Sequence, residues 1–82
     1  MNALVINDRD NVAVALQDLT AGQEIVLSDR KVILCDDITR GHKFALDNIK
    51  AGEPIIKYGY SIGNAKVDIP QGSHIHSHNL KT

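Results

Sequence analysis

The sequence predicts a mostly β domain built from short strands. Its apolar residues fall in short runs, and within residues 12–16 the larger side chains alternate as a half-buried strand requires. β-Branched residues are dense in these runs, which favours strands over helices. A turn motif that occurs four times separates the runs. We therefore expect many short strands joined by turns.

The apolar runs place the individual strands. In chain order the predicted strands cover residues 4–6, 12–16, 24–27, 32–34, 54–58, 65–68 and 74–78. The polar segment 28–31 is typical of a hairpin turn between the third and fourth strands. Only residues 43–47 favour a helical turn, and that segment is too short to carry a fold.

The repeated turn motif consists of an Asp or Asn, an aliphatic residue, two variable residues and a glycine. Its copies occupy residues 18–22, 37–41, 48–52 and 68–72. The Asp or Asn side chain can accept a hydrogen bond from the backbone two residues on, and glycine can adopt the positive φ that closes such a turn. We expect the aliphatic residue to enter the core. The long, short and long spacing of the copies predicts two similar halves.

Length and charge exclude several functional classes. The 82 residues form one domain, residues 1–82, and this length argues against a complete enzyme. Nine basic against ten acidic residues leave a formal charge of −1. Without a basic excess, and with only three aromatic residues, the sequence offers neither phosphate neutralisation nor a stacking platform for nucleic acid.

The chain also has the features of a cytoplasmic protein. It begins without the basic and apolar regions of a signal peptide, and no apolar stretch reaches membrane-spanning length. Cys35 is the only cysteine, so an intramolecular disulfide is excluded. It follows an apolar run, and we expect it to be a small buried residue rather than a nucleophile.

Histidine is the unusual residue of this composition. Three of the four histidines, His74, His76 and His78, alternate within the last nine residues. On a straight strand they would share one face, spaced too far apart for all three to reach one metal ion. His42 is therefore the best candidate for a further ligand. The alternatives are a solvated strand face, acid–base chemistry and anion binding, because histidine changes charge near neutral pH.

Polar residues elsewhere form a second candidate set. Lys43 and Lys57 are cations suited to a carboxylate, sulfonate or phosphate, although each is also consistent with an ordinary surface charge. Tyr58 can donate a hydrogen bond or a proton. Gly59 and Gly63 flank a segment that would either let backbone amides approach a ligand or form a plain hairpin. The pair Asp36 and Asp37 could bind a hard cation, but Asp37 already belongs to a turn motif.

Several of these residues lie in blocks whose order resembles one family. The blocks are Gly41-His42-Lys43, Ile55-Ile56-Lys57-Tyr58-Gly59, Ile62-Gly63-Asn64-Ala65 and His74-Ile75-His76-Ser77-His78-Asn79. Together they resemble the N-terminal SAF-type domain of altronate and galactarate dehydratases, a module that is also the small subunit of sulfolactate sulfo-lyase. The similarity runs from about residue 30 to Thr82, and the first 29 residues match in general pattern only.

The resemblance implies a compact β-clip fold and a role in a lyase that acts on a sugar acid or hydroxy acid. It implies a divalent metal, Fe²⁺ or Mn²⁺, and a large catalytic domain or subunit as partner, without which the chain would be inactive. It places three sets of candidate residues against substrate or metal. The catalytic candidates are His42, Lys43, Lys57 and Tyr58, the substrate-binding candidates are Gly41, Gly59, Gly63 and Asn79, and the metal candidates are His74, His76 and His78.

The sequence leaves three functions open. The first is a component of a sugar-acid dehydratase, the second a small subunit of a sulfolactate sulfo-lyase, and the third a SAF-type binding module without catalysis. It also leaves the oligomeric state open, a homo-oligomer included.

Overall fold

A computed structural model describes residues 2–82 and confirms the predicted β class. This part of the chain folds into nine short strands and contains no helix. The strands are β1 (Ala3–Leu4), β2 (Val12–Ala15), β3 (Glu24–Leu27), β4 (Arg30–Ile33), β5 (Lys43–Ala45), β6 (Pro54–Lys57), β7 (Tyr60–Ala65), β8 (His74–Ile75) and β9 (Leu80–Lys81).

The strands form three antiparallel sheets. A four-stranded sheet has the order β1-β2-β5-β8, the hairpin β3-β4 stands by itself, and β6-β7-β9 form the third sheet. The central four-stranded sheet is buried on both faces. Neighbouring residues of each strand point to opposite sides, so each strand contributes side chains to both faces. Ala13 and Phe44 pack into one apolar cluster with the β3-β4 hairpin. Ala45 and Ile75 pack into a second cluster with the β6-β7 sheet.

The four turn motifs form two pairs, as the predicted two halves require. Leu19 bridges Ile38 and Ile49 bridges Ile69, and in each pair both N–H groups bond the partner's carbonyl oxygen. All four aliphatic residues are buried, and the four motif glycines adopt φ between 86° and 89°. These features confirm the predicted roles of the aliphatic residue and the glycine.

The Asp and Asn side chains of the motif act differently from the prediction. Each accepts a hydrogen bond from the opposite turn of its pair rather than from its own backbone. Asp37 Oδ1 accepts from the N–H of Ala21 at 2.8 Å, and Asp18 Oδ1 accepts from the N–H of Arg40 at 2.9 Å. Asn48 and Asp68 do the same in the second pair. Through these hydrogen bonds, the motif connects two chain segments that are far apart in the sequence.

Three predicted local structures are wrong. Residues 43–47 do not form a helical turn, because β5 pairs there with β2 and β8. Residues 65–68 are not a strand; β7 covers Tyr60–Ala65 instead and ends before the fourth turn motif. Residues 60–62 form the plain hairpin, one of the two forms that the sequence left open. The histidine segment is not one strand, because β8 ends at Ile75.

The prediction that Cys35 is buried is also wrong. Alternation along β4 continues past its end, so Val32 and Leu34 point inward while Ile33 is 53% exposed. Cys35 therefore faces solvent, where its Sγ lies 3.2 Å from the carbonyl oxygen of Gln71.

No helix in residues 2–82 has the length and apolar character needed to span a bilayer.

Candidate functional site

The four imidazoles form one cluster at the end of the central sheet. His42 directly precedes β5, and His74 begins β8, which pairs with β5. The ring centroids of His42 and His74 are 5.1 Å apart, and that of His76 lies 5.4 Å from His42 and 5.8 Å from His74. The ring of His78 lies 5.6 Å from that of His74. Residues 32 positions apart thus meet in one place.

A bend in the chain after Ile75 makes this cluster possible. Had residues 74–78 continued as a strand, alternate imidazoles would lie about 6.5–7 Å apart in a line. Instead residues 77–79 form a turn, which returns the chain to β9. His42 lies beside His74, where the sequence argument looked for a further ligand, but the sequence predicted a strand over residues 74–78 and not this bend.

Three of the histidines present nitrogens that fit a metal ion. One ring nitrogen from each of His42, His74 and His76 lies within 4.8 Å of the other two. In a tetrahedral site with metal–nitrogen bonds of about 2.1 Å, ligand nitrogens lie about 3.4 Å apart. The limit of 4.8 Å is wider than this value, so the rings would have to adjust their positions to surround an ion. A set of three imidazoles suits iron, zinc or nickel better than manganese, which prefers oxygen ligands.

The closest contact in the cluster joins His42 Nδ1 and His74 Nε2 at 2.9 Å, a hydrogen-bond distance that requires one ring to donate and the other to accept. Burial lowers the pKa of His74, and repulsion from His42, His78 and His76 lowers it further. The lowered pKa favours the neutral form of His74, which is the form that binds metals and accepts protons.

Two polar residues fix the backbone that carries these histidines. Asp36 Oδ2 accepts a hydrogen bond from the N–H of His74 at 2.9 Å. Asn79 is 5% exposed and bonds the backbone of both His74 and His76. The sequence argument missed the contact of Asp36 with the histidine strand and considered only a cation site for it. The adjacent Asp37 is occupied by the turn motif, as expected.

The predicted lysines do not lie on the face of the sheet that carries His74. Lys43 lies opposite Val14 and Ile75 in the strand register, whereas His74 lies opposite Phe44. Directly opposed residues share a face, so Lys43 projects to the other side of the sheet. The structure thus divides the predicted site into a histidine cluster and a separate lysine patch.

The lysine patch consists of Lys43, Lys57 and Tyr58. The pKa of Lys43 is lowered, first by burial and then by repulsion from Lys57. Lys57 Nζ lies 4.9 Å from the centre of the Tyr58 ring, a cation–π contact. Within residues 2–82 neither ammonium group pairs with a carboxylate. The patch has the positive charge and hydrogen-bond donors that an anionic group requires.

The predicted glycines have backbone roles in the structure. Gly41 closes a turn motif directly before His42. Tyr58 and Gly59, with φ of 56° and 80°, form the two-residue turn of the β6-β7 hairpin. Gly63 lies against β9, where a Cβ atom would overlap the carbonyl oxygen of Lys81. None of these positions requires a ligand to explain its glycine.

A surface groove of about 820 Å³ lies elsewhere, between residues 3–11, the tip of the β3-β4 hairpin and residues 46–47. None of the candidate residues lines it. Its charged side chains are of both signs, and Arg30 is paired with Asp47 at 3.0 Å. Four aspartates and two arginines line the groove, so its charge does not favour an anion.

The chain is similar in sequence to known proteins. The family model described as the altronate/galactarate dehydratase SAF domain matches residues 1–82. Altronate dehydratase of Escherichia coli (strain K12) is 49% identical over 82 residues, which are the whole chain and 17% of that protein. Altronate dehydratase of Bacillus subtilis (strain 168) is 47% identical over 77 residues, 94% of the chain and 16% of that protein.

A relative of similar size also matches. The (2R)-sulfolactate sulfo-lyase subunit alpha of Chromohalobacter salexigens is 34% identical over 86 residues, which cover 95% of the chain and 92% of that subunit. The chain thus spans about a sixth of the altronate dehydratases it matches and nearly all of this lyase subunit.

Proposed function

We propose, from the premise that this chain belongs to the altronate/galactarate dehydratase SAF-domain family, that it contributes a metal-binding part of the active site of a sugar-acid dehydratase. The observation that carries the proposal is the convergence of His42, His74 and His76, whose ring nitrogens lie within 4.8 Å of one another. A large catalytic domain or subunit supplies the remainder of the site, since the matching region is only 17% of altronate dehydratase of Escherichia coli. We also propose a cytoplasmic location.

The reaction class defines what the site must do. Dehydration of a 2,3-dihydroxy acid removes the proton on C2 and the hydroxyl on C3 as water, and the resulting enol tautomerises to a 2-oxo acid. A bound Fe²⁺, or the less well matched Mn²⁺, would stabilise the negative charge that develops beside the carboxylate. His42, His74 and His76 would hold that ion. Because the lowered pKa of His74 favours its neutral form, protons compete less with a metal ion for this ring.

His78 is left as the acid–base candidate of the cluster. Its ring lies 5.6 Å from that of His74 and is exposed, and its nitrogens are outside the group of three that converge. An imidazole beside a metal site can act as a general acid or base. We therefore place His42 with the metal, as the spacing of the histidines indicated, and His78 with proton transfer, whereas the family resemblance implied a catalytic His42 and a metal-binding His78.

The lysine patch remains a proposal for an anion contact. Lys43 and Lys57 would neutralise a carboxylate or sulfonate, with the hydroxyl of Tyr58 as a donor. Since Lys43 lies on the face of the sheet opposite His74, one small substrate would not bridge the patch and the metal. We assign the lysine patch to an anionic group of the partner or of a second ligand, and not to the reacting carbon of the substrate.

The second candidate function is that of a sulfolactate sulfo-lyase small subunit. It is favoured by the match to a subunit alpha over 92% of that subunit's length. The same proton abstraction beside a carboxylate would then be followed by loss of sulfite instead of water.

A reconstitution assay separates these functions. The purified chain is mixed with Escherichia coli altronate dehydratase lacking the region that matches it, and altronate, galactarate and (2R)-sulfolactate are supplied separately with Fe²⁺. We expect no turnover by the chain alone and 2-oxo acid from a sugar acid with both parts present. Sulfite from sulfolactate alone would support the second candidate. Absence of any product, together with absence of metal binding, would leave a non-catalytic binding module.

A further inference from the structure

The histidines His74 and His76 depend on one tight turn for their relative position. After Ile75 the chain leaves β8, and the carbonyl oxygen of His76 accepts hydrogen bonds from the N–H groups of Asn79 at 3.1 Å and Leu80 at 2.9 Å. This reversal, rather than strand geometry, brings the His76 ring to 5.8 Å from the His74 ring with an interplanar angle of 12°.

The side chain of Asn79 holds the turn from within. Its Oδ1 accepts a hydrogen bond from the N–H of His76 at 3.0 Å, and its Nδ2 donates to the carbonyl oxygen of His74 at 2.9 Å. The residue is 5% exposed. Burying an amide is costly unless its polar atoms are bonded, and here both groups are used on the backbone of two histidines. A single side chain therefore fixes the chain on both sides of Ile75.

Asp36 holds the same segment from outside the turn. Its Oδ2 accepts from the N–H of His74 at 2.9 Å, at the sheet edge where no further strand pairs with β8. Each of the two bonded backbone groups of His74 thus has a side-chain partner, the N–H with Asp36 and the carbonyl oxygen with Asn79. Lys66 Nζ adds a bond to the carbonyl oxygen of Ser77 at 2.7 Å.

We propose that Asn79 and Asp36 are positioning residues that hold the imidazoles of His74 and His76 in their binding arrangement before a metal arrives. This inference rests on the proposed function for the metal itself. It replaces the predicted substrate contact of Asn79, because both polar groups of its side chain are engaged in the turn. Removal of residues that orient metal ligands typically weakens metal binding by about 10–100-fold.

A general stabilising role is the alternative, and the chain offers a matched control for it. Asn11 makes the same two-sided contact in another place: its Oδ1 accepts from the N–H of Ile56 at 2.7 Å and its Nδ2 donates to the carbonyl oxygen of Pro54 at 3.0 Å. Asn11→Ala and Asn79→Ala thus remove equivalent hydrogen bonds, but only Asn79→Ala acts on the histidine turn.

The experiment titrates the full chain with Co²⁺, whose visible absorption reports both affinity and coordination geometry. We expect Asn79→Ala to weaken Co²⁺ binding about tenfold or more and Asn11→Ala to leave it within about twofold of wild type. Asn79→Asp keeps the acceptor for His76 and should fall between wild type and Asn79→Ala. Asp36→Asn also keeps an acceptor and should bind more tightly than Asp36→Ala. Folding of every variant is checked by thermal unfolding.

A measurement without metal tests whether Asn79 positions the two rings, even if the chain binds no metal. In wild type the stacked rings of His74 and His76 should give a nuclear Overhauser effect between their ring protons, which Asn79→Asp should weaken and Asn11→Ala should retain. Wild-type Co²⁺ affinity in folded Asn79→Ala, or an equal loss in Asn11→Ala, would overturn the inference. If wild type binds no Co²⁺, the proposed metal function fails, and an unchanged Overhauser effect in Asn79→Asp would then overturn the positioning role separately.

Discussion

His42 Nδ1 lies 2.9 Å from His74 Nε2, although the two residues follow different turn motifs and are 32 positions apart. The pairing of β5 with β8 creates this contact, because His74 lies opposite Phe44, and His42, two residues before Phe44, belongs to the same face. His42 thus joins His74 and His76 in the group whose ring nitrogens lie within 4.8 Å of one another, and His78 lies outside that group. Substitution of His42 should therefore have a different effect from substitution of His78.

The first prediction compares His42→Ala with His78→Ala. We expect His42→Ala to weaken Zn²⁺ binding at least about tenfold, because it removes one of three converging nitrogens. His78→Ala should bind Zn²⁺ within about twofold of wild type and should lower kcat of the reconstituted enzyme about 100-fold. Isothermal titration calorimetry and the 2-oxo acid assay measure the two effects. Equal loss of Zn²⁺ affinity in both variants would contradict the division of roles.

The second prediction concerns the hydrogen bonds between paired turn motifs. Asp18→Ala should lower the free energy of unfolding by about 1 kcal/mol, because the N–H of Arg40 loses its acceptor. Asp18→Asn should cost much less, since Asn48 supplies the same bond to Gln71 at 2.8 Å in the second pair. Urea unfolding of both variants measures the difference. Equal losses in the two variants would show that charge, and not the hydrogen bond, is what matters.

The third prediction separates two glycines with the same backbone conformation. Gly22 and Gly72 have φ of 87° and 89°, but a Cβ at Gly22 meets nothing within 4 Å, whereas one at Gly72 would overlap the carbonyl oxygen of Ile33. Gly22→Ala should cost about 1–2 kcal/mol from backbone strain alone. Gly72→Ala should cost clearly more or prevent folding, as measured by urea unfolding. Similar costs at the two positions would show that β4 moves aside readily.

The sequence was sufficient for the β class and for the turn motif, because both depend on local features. Alternating apolar residues and the positive φ of glycine act within a few positions, and the buried Leu19 and Ile38 follow from them. The pairing of Asp18 with Arg40 was not accessible, because it joins segments that become neighbours only in the folded chain. Residues 43–47 were misread for the same reason, since strand partners outweigh local helix propensity.

The candidate site could also be predicted only in part from the sequence. The histidines were visible in composition, and the need for His42 followed from the reach of a straight strand. The bend after Ile75 could not be read from residues 74–78 alone, because it depends on Asn79 bonding back to His76. The division between histidines and lysines was also hidden, since adjacent residues in β5 point to opposite faces of a sheet that is buried on both sides.

The fourth prediction is a pH dependence set by Asp10. This buried carboxylate accepts hydrogen bonds from the N–H groups of Gly59 at 2.8 Å and Asn7 at 3.1 Å. Burial alone would raise the pKa of Asp10, but these backbone hydrogen bonds outweigh burial and lower it below its ordinary value of 3.8. A carboxyl group with a lowered pKa stabilises the fold above its unfolded pKa, and that contribution is lost as the pH falls through the folded value.

Asp10→Asn should therefore destabilise the protein at neutral pH and reduce the loss of stability as the pH falls below about 5. Asp8→Asn is the matched control, because it removes the same charge from an exposed neighbour that accepts no such backbone bonds within residues 2–82. Urea unfolding across this pH range measures both variants. A wild-type acid dependence in Asp10→Asn would show that other carboxylates govern acid unfolding and that the Asp10 bonds to the hairpin tip carry little energy.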